Sequence, residues 1–241
     1  MGRVKIAKKS TFIDMTAMSD VTVLLLTFFM LTSTFLSKEP ATVITPPSVS
    51  TEKVQETNWV QVLVNPEGKV WLSMNNDTSK NWSNEMMRMA LLDKVSEIYN
   101  ETHKNKVSFT PEQKYTFSKL GTFGVPLAQM GEFLNLANLQ EGQTQMDKWL
   151  DGSDGNPSHV TGIPVSWNNN EATPNEFQMW LKAMRQTDNE TLAKAIKDGS
   201  GVAIKADQNT AFDVIHMVMD NLQTIHMNKF TLLTALKGAE E

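Results

Sequence analysis

Thr16, Asp20, Thr27 and Thr34 are spaced by four, seven and seven residues, which places all four on one face of a helix. The segment that follows Asp20, residues 21–36, reads VTVLLLTFFMLTSTFL and carries no charge. A carboxyl in apolar surroundings favours its neutral form, so it can take up and release a proton where an exposed one stays ionised. The chemistry such a stripe supports is proton carriage. Within a bilayer the stripe has to face protein or water, because lipid cannot satisfy it. The other reading of Asp20 is a helix N-terminal acid, favoured by the dipole and wetted by headgroups.

The element that must position these side chains is a membrane span. Residues 21–36 make about 24 Å of helix, and a hydrocarbon core of about 30 Å needs nearer 20 residues. Pro40 follows Ser37, Lys38 and Glu39 closely, so the missing turn comes from the N-terminal side, from about Ala17, and Asp20 falls within the hydrocarbon. Arg3, Lys5, Lys8 and Lys9 precede the span, which places the N-terminus in the cytoplasm. A cleaved signal peptide is the alternative, but Phe35 and Leu36 stand where small residues are needed. The expected organisation is therefore a cytoplasmic N-terminus over 1–11, a single transmembrane helix over 12–37, an extended linker over 38–57 and a folded domain over 58–241.

Composition bounds the rest. The chain has 241 residues, with 22 Lys and Arg against 27 Asp and Glu. Beyond Leu36 there are 18 bases and 25 acids, a balance of −7 that argues against nucleic-acid binding. With no cysteine there is neither a disulfide nor a thiolate site. No Gly-rich phosphate loop, HExxH or G-x-S-x-G pattern occurs, so no enzyme, cofactor or metal is expected. The acidic stretch DGSDGNPSHVTG at 151–162 lacks the EF-hand spacing and reads as loop. The four histidines, at 103, 159, 216 and 226, are scattered and read as surface or packing residues.

The folded part reads as α+β. Val60, Val62 and Val64 alternate, residues 65–68 supply a turn, and residues 70–72 return, which predicts a hairpin. A helix is expected over 83–100, with Leu91, Leu92, Val95, Ile98 and Tyr99 on one side. Thr110 and Thr173, each followed by proline, mark further helix starts, and Thr173 with Glu176 reads as a capping box. Pro126 opens another helix. Near the C-terminus a strand over 202–206 ends at Asp207, read as a turn carboxylate. A helix carrying Phe212, Ile215, Val218, Met219, Leu222 and Ile225 follows, then a last strand over 230–236.

The stretch IDMTAMSDVTVLLLTFFMLTS resembles the N-terminal signature of the ExbD/TolR family of proton-driven motor subunits. Asp14, Thr16, Asp20, Val21, Leu24, Leu25, Phe28, Phe29, Met30, Thr32 and Ser33 fall in matching places, and Ala17 replaces the family's proline. Residues 202–236 are similar to the family's periplasmic domain. The resemblance implies a two-layer periplasmic domain, a small sheet with helices on one face, here carrying a helical insertion at about 101–190. It implies Asp20 as the proton carrier, with Thr16 and Thr27 as polar helpers and Thr34 continuing the face. Pro46 and Pro47 are the approximate counterpart of a linker docking motif, with a plain spacer as the alternative. The partners implied are an ExbB/TolQ-like polytopic pentamer, a second copy of the chain, and a TonB-like or outer-membrane-linked protein, with peptidoglycan a further candidate. The location implied is the inner membrane. A TolR-like envelope motor and a passive membrane-anchored peptidoglycan-binding module are the competing functions.

Overall fold

A computed structural model describes residues 15–32, 39–50, 57–75 and 83–236. The chain divides into two units, Met1–Lys38 and Glu39–Glu241.

The first unit contains helix α1, Met15–Thr32. It contains neither proline nor glycine, so nothing interrupts the backbone ladder. Among the described residues no helix is long and apolar enough to cross a membrane. With 18 residues, α1 measures about 27 Å against a core of roughly 30 Å. The rest of the span expected over 12–37, Thr34 included, lies outside the described residues.

In the second unit the linker carries β1, Pro47–Ser48. The expected hairpin follows as β2, Trp59–Val64, and β3, Val70–Asn75. Its turn closes through Gly68 N to Asn65 O and Lys69 N to the Asn65 side chain. Helix α2, Asn84–Thr102, starts at the Ser83 cap, and α3, Pro111–Ser118, starts at Thr110 with Gln113 completing a capping box. Strand β4, Thr122–Phe123, leads to α4, Leu127–Asn135, a short 3₁₀ turn at Leu136–Asn138, and α5, Gly142–Asp151. Helices α6, Glu176–Arg185, and α7, Glu190–Asp198, precede β5, Val202–Ala206. Helix α8, Phe212–Thr224, crosses over to β6, Thr231–Leu232, and the described chain ends at β7, Ala235–Leu236.

Five strands form one sheet in the order β4-β3-β2-β5-β6, with β2, β5 and β6 parallel. Register puts Val60, Val62 and Val64 of β2 in line with Met74, Leu72 and Val70 of β3 and with Val202, Ile204 and Ala206 of β5. That apolar face lies under the helices. Phe123 of β4, on the same face, meets Phe117 of α3 at 4.9 Å and Trp180 of α6 at 4.7 Å between ring centres. Arg88 of α2 ties the layers by donating to Ser118 O and Met74 O.

The expectation of helices on one face needs correction. The opposite face carries Leu63 and Trp71, each 1% exposed, and so must be covered too. Trp71 donates its indole N–H to Leu150 O at the end of α5, 3.1 Å away. A Cβ on Gly124 would overlap the Trp71 ring, so glycine is required at that approach. Lys205, on the same face, pairs with Glu39 of the linker.

Two further expectations shift. The α6 cap is Asn175 rather than Thr173, with Gln178 in place of Glu176 as its box partner. The strand expected over 230–236 splits into β6 in the main sheet and β7, which pairs instead with β1.

Candidate functional site: the Asp20 helix face and the docked linker

Helix α1 presents Asp20 as the only charged group in its eighteen residues. At roughly 100° per residue, Thr16, Asp20 and Thr27 lie within about 40° of one another around the axis, with Val23 just beside Thr16. The Thr27 hydroxyl donates to Leu24 O at 2.9 Å. Thr22, on the far side, donates to Met18 O and Ser19 O. With its proton committed to the backbone, the Thr27 oxygen faces outward as an acceptor. Asp20 is exposed, as are Leu24, Leu25, Leu26, Phe28 and Phe29 around the helix. An apolar surface of this extent around one carboxylate requires cover from lipid or another chain. Along the axis Thr16 lies one turn before Asp20 and Thr27 about two turns after it, roughly 10 Å away.

In the second unit, Pro46 and Pro47 lie where the linker meets the C-terminal segment. Pro46 O accepts from Ala235 N at 3.0 Å, and Pro47 and Ser48 pair in parallel with Ala235 and Leu236. Proline has no N–H to donate, and this ladder asks none of Pro46, which serves as acceptor. The stronger attachment lies two residues earlier, at a residue that the spacing of the prolines does not reveal. Ile44 N donates to Asp207 Oδ2 at 2.7 Å, and Ile44 O accepts from Gln208 N at 2.8 Å. Asp207 Oδ1 accepts from Asn209 N at 2.9 Å, so the expected turn carboxylate also clasps the linker. The Asn209 and Ile44 amides hold the Asp207 carboxyl below its ordinary value. Glu39 adds a two-pronged contact to Lys205, at 2.6 and 2.7 Å.

Two of the four histidines stack on buried aromatic rings. His103 stacks on Tyr99 at 4.0 Å and His159 on Trp149 at 3.5 Å. His159 also bonds Asp154 within the acidic loop. Among the described residues no group of acids and histidines could hold a metal ion. Glu176 accepts from Leu127 N at 2.9 Å, capping α4 where the Pro126 ring can accept no hydrogen bond. Burial pushes the Glu176 carboxyl up, an effect the Leu127 amide partly offsets.

Residues 7–123 match the family described as Biopolymer transport protein ExbD/TolR, a stretch that takes in α1, the linker, the hairpin and β4. No curated protein and no solved structure matched the chain.

Proposed function

Because this chain belongs to the ExbD/TolR family, whose members are biopolymer-transport motor subunits of the inner membrane, we propose that it couples the proton-motive force to mechanical work in the periplasm. Its output on this reading is the energising of TonB-dependent transport across the outer membrane. The observation that carries the proposal is the lone carboxylate of α1, standing with two threonines on one face of an otherwise uncharged helix.

On this reading the span runs over 12–37 with the N-terminus cytoplasmic, so that Asp20 lies near the inner edge of the hydrocarbon. An ExbB/TolQ-like polytopic pentamer covers α1, alongside a second copy of the chain. Protonation of Asp20 makes the face neutral and tolerant of apolar walls, and deprotonation drives it towards a polar partner. Thr16 and Thr27 supply polar groups on either side of the carboxyl, and Thr34 extends the face. Each elementary charge crossing 100 mV is worth about 2.3 kcal/mol, enough to bias domain states a few kcal/mol apart. Between residues 38 and 57 the linker conveys the motion, docking through Pro46, Pro47 and Ile44. The length of the segment at 101–190 supports the uptake branch over the envelope-maintaining, TolR-like one.

Asp20→Asn tests the proposal. In membranes that also hold the polytopic partner, the variant is expected to abolish proton flux and energised uptake while leaving the amount of chain in the membrane unchanged. Undiminished flux and uptake would leave a passive, membrane-anchored periplasmic module as the function.

A further inference from the structure

Three exposed rings meet on the surface of the second unit. Trp167 is 55% exposed and Phe212 71%. His216, also exposed, lies edge-on to Trp167 at 5.3 Å and stacked on Phe212 at 5.8 Å between ring centres. Phe212 and His216 are one turn apart on α8, whereas Trp167 comes from the loop before α6.

That loop is held on both sides of Trp167. Ser166 O accepts from Asn175 Nδ2 and Asn221 Nδ2, each at 3.0 Å. Asn168 O accepts from Gln178 Nε2 at 3.1 Å, and Asn168 Nδ2 donates to Gln178 Oε1 at 3.0 Å and to Thr173 O. Gln178 and Asn221 are fully buried. Buried amides are thus committed to immobilising a segment whose indole points into solvent. Preorganised aromatic anchors lose little entropy on association and tend to dominate interface energetics.

Charge indicates what such a surface receives. Neither residues 164–176 nor residues 206–224 contain a lysine or arginine, while together they hold Glu171, Glu176, Asp207, Asp213 and Asp220. Glu171 is engaged with Lys182 and His226, Glu176 with the α4 amide, and Asp207 with the linker. Asp213 is exposed and makes no ion pair among the described residues. It precedes His216 by three positions and so shares the face of the rings. Aromatic faces beside an unpaired carboxylate suit ammonium and guanidinium groups.

We propose that the Trp167–Phe212–His216 surface docks an extended basic peptide segment of a partner protein, whose lysine or arginine side chains lie over the two outer rings and pair with Asp213. The surface lies beyond the family-matched residues 7–123, and the inference does not depend on the role of Asp20.

The test titrates the full chain in mild detergent with an oligolysine peptide, an oligoglutamate peptide and a neutral N-acetylglucosamine oligomer, measured by calorimetry. Oligolysine is expected to bind, weakening with added salt. Trp167→Ala and Phe212→Ala are each expected to reduce that binding about tenfold or more. Asp213→Lys, at an exposed position in the first turn of α8, should weaken oligolysine and admit oligoglutamate. It decides the matter alone if either ring variant loses its helical signal. Oligolysine binding indifferent to Asp213→Lys overturns the inference, as does equal binding of both charged peptides. Binding of the sugar oligomer without oligolysine overturns it in favour of a saccharide site.

Discussion

Asp207 and Glu176 are held by backbone amides, yet they respond to acid in opposite directions. The amides of Asn209 and Ile44 depress the Asp207 carboxyl. A group depressed in the folded state stabilises above its unfolded pKa, near 3.9, and that contribution is lost as pH falls through the folded value. Burial raises Glu176. Its contribution is complete below the unfolded value of about 4.3 and is lost as pH rises through the folded one, so ionised Glu176 is a burden at neutral pH. Unfolding midpoints of the full chain in mild detergent, taken between about pH 3 and pH 7, separate the two. Asp207→Asn should fall below the parent at neutral pH, with the gap closing in acid. Glu176→Gln keeps an acceptor for the Leu127 amide and should rise above the parent at neutral pH, again with the gap closing in acid. Gaps that stay constant with pH would show that neither carboxylate acts through its charge. The Asp20 face was legible in the sequence because helical spacing is local. The Asp207 clasp was not, since its partner Ile44 lies 163 positions away and contributes only a backbone amide, which every residue but proline has.

At the scale of elements, α6 shows what periodicity reveals and what it misses. Phe177, Trp180, Leu181 and Met184 mark its buried side in the sequence, and all four are fully buried. The sequence reading put its cap at Thr173, two residues too early, because Asn175 is an equally good cap that lies closer to the helix. Tertiary structure decides for Asn175, whose amide also reaches Asn221 Oδ1 at 2.7 Å and Ser166 O. Strands β4, β6 and β7 have two residues each, too few to show alternation, and α5 and α7 are short helices without a long apolar repeat. Trp180 is the α6 residue on which three elements converge, touching Phe117 and Phe123. Trp180→Ala should lower stability by about 3–5 kcal/mol through lost burial and the cavity left behind. Its indole N–H is buried without a partner among the described residues. Trp180→Phe keeps the ring stack and removes that unsatisfied donor, so it should cost less than about 1.5 kcal/mol. Chemical denaturation of the two variants measures both, and equal losses would refute the ring-stacking account.

At the scale of the whole molecule, the chain divides into two units, Met1–Lys38 and Glu39–Glu241. The second unit closes its own sheet: β5 is inserted beside β2, some 140 residues after it in the chain, and the linker is pinned to the same unit at Lys205, Asp207 and Ala235. Family-matched residues 7–123 supply only β2, β3 and β4 of that sheet, so its closure depends on residues outside the match. Among the described residues, the core cluster of the second unit is built from that unit's own strands, helices and loops. Replacing residues 15–32 with an uncharged apolar helix of equal length should leave the unfolding midpoint of the second unit unchanged. On the motor reading the same replacement abolishes energised uptake, because the proton has no carrier and the partner no polar face to follow. An exchange that preserved uptake would leave α1 as an anchor only. An exchange that shifted the unfolding midpoint would refute the independence of the two units while leaving the role of Asp20 to its own substitution.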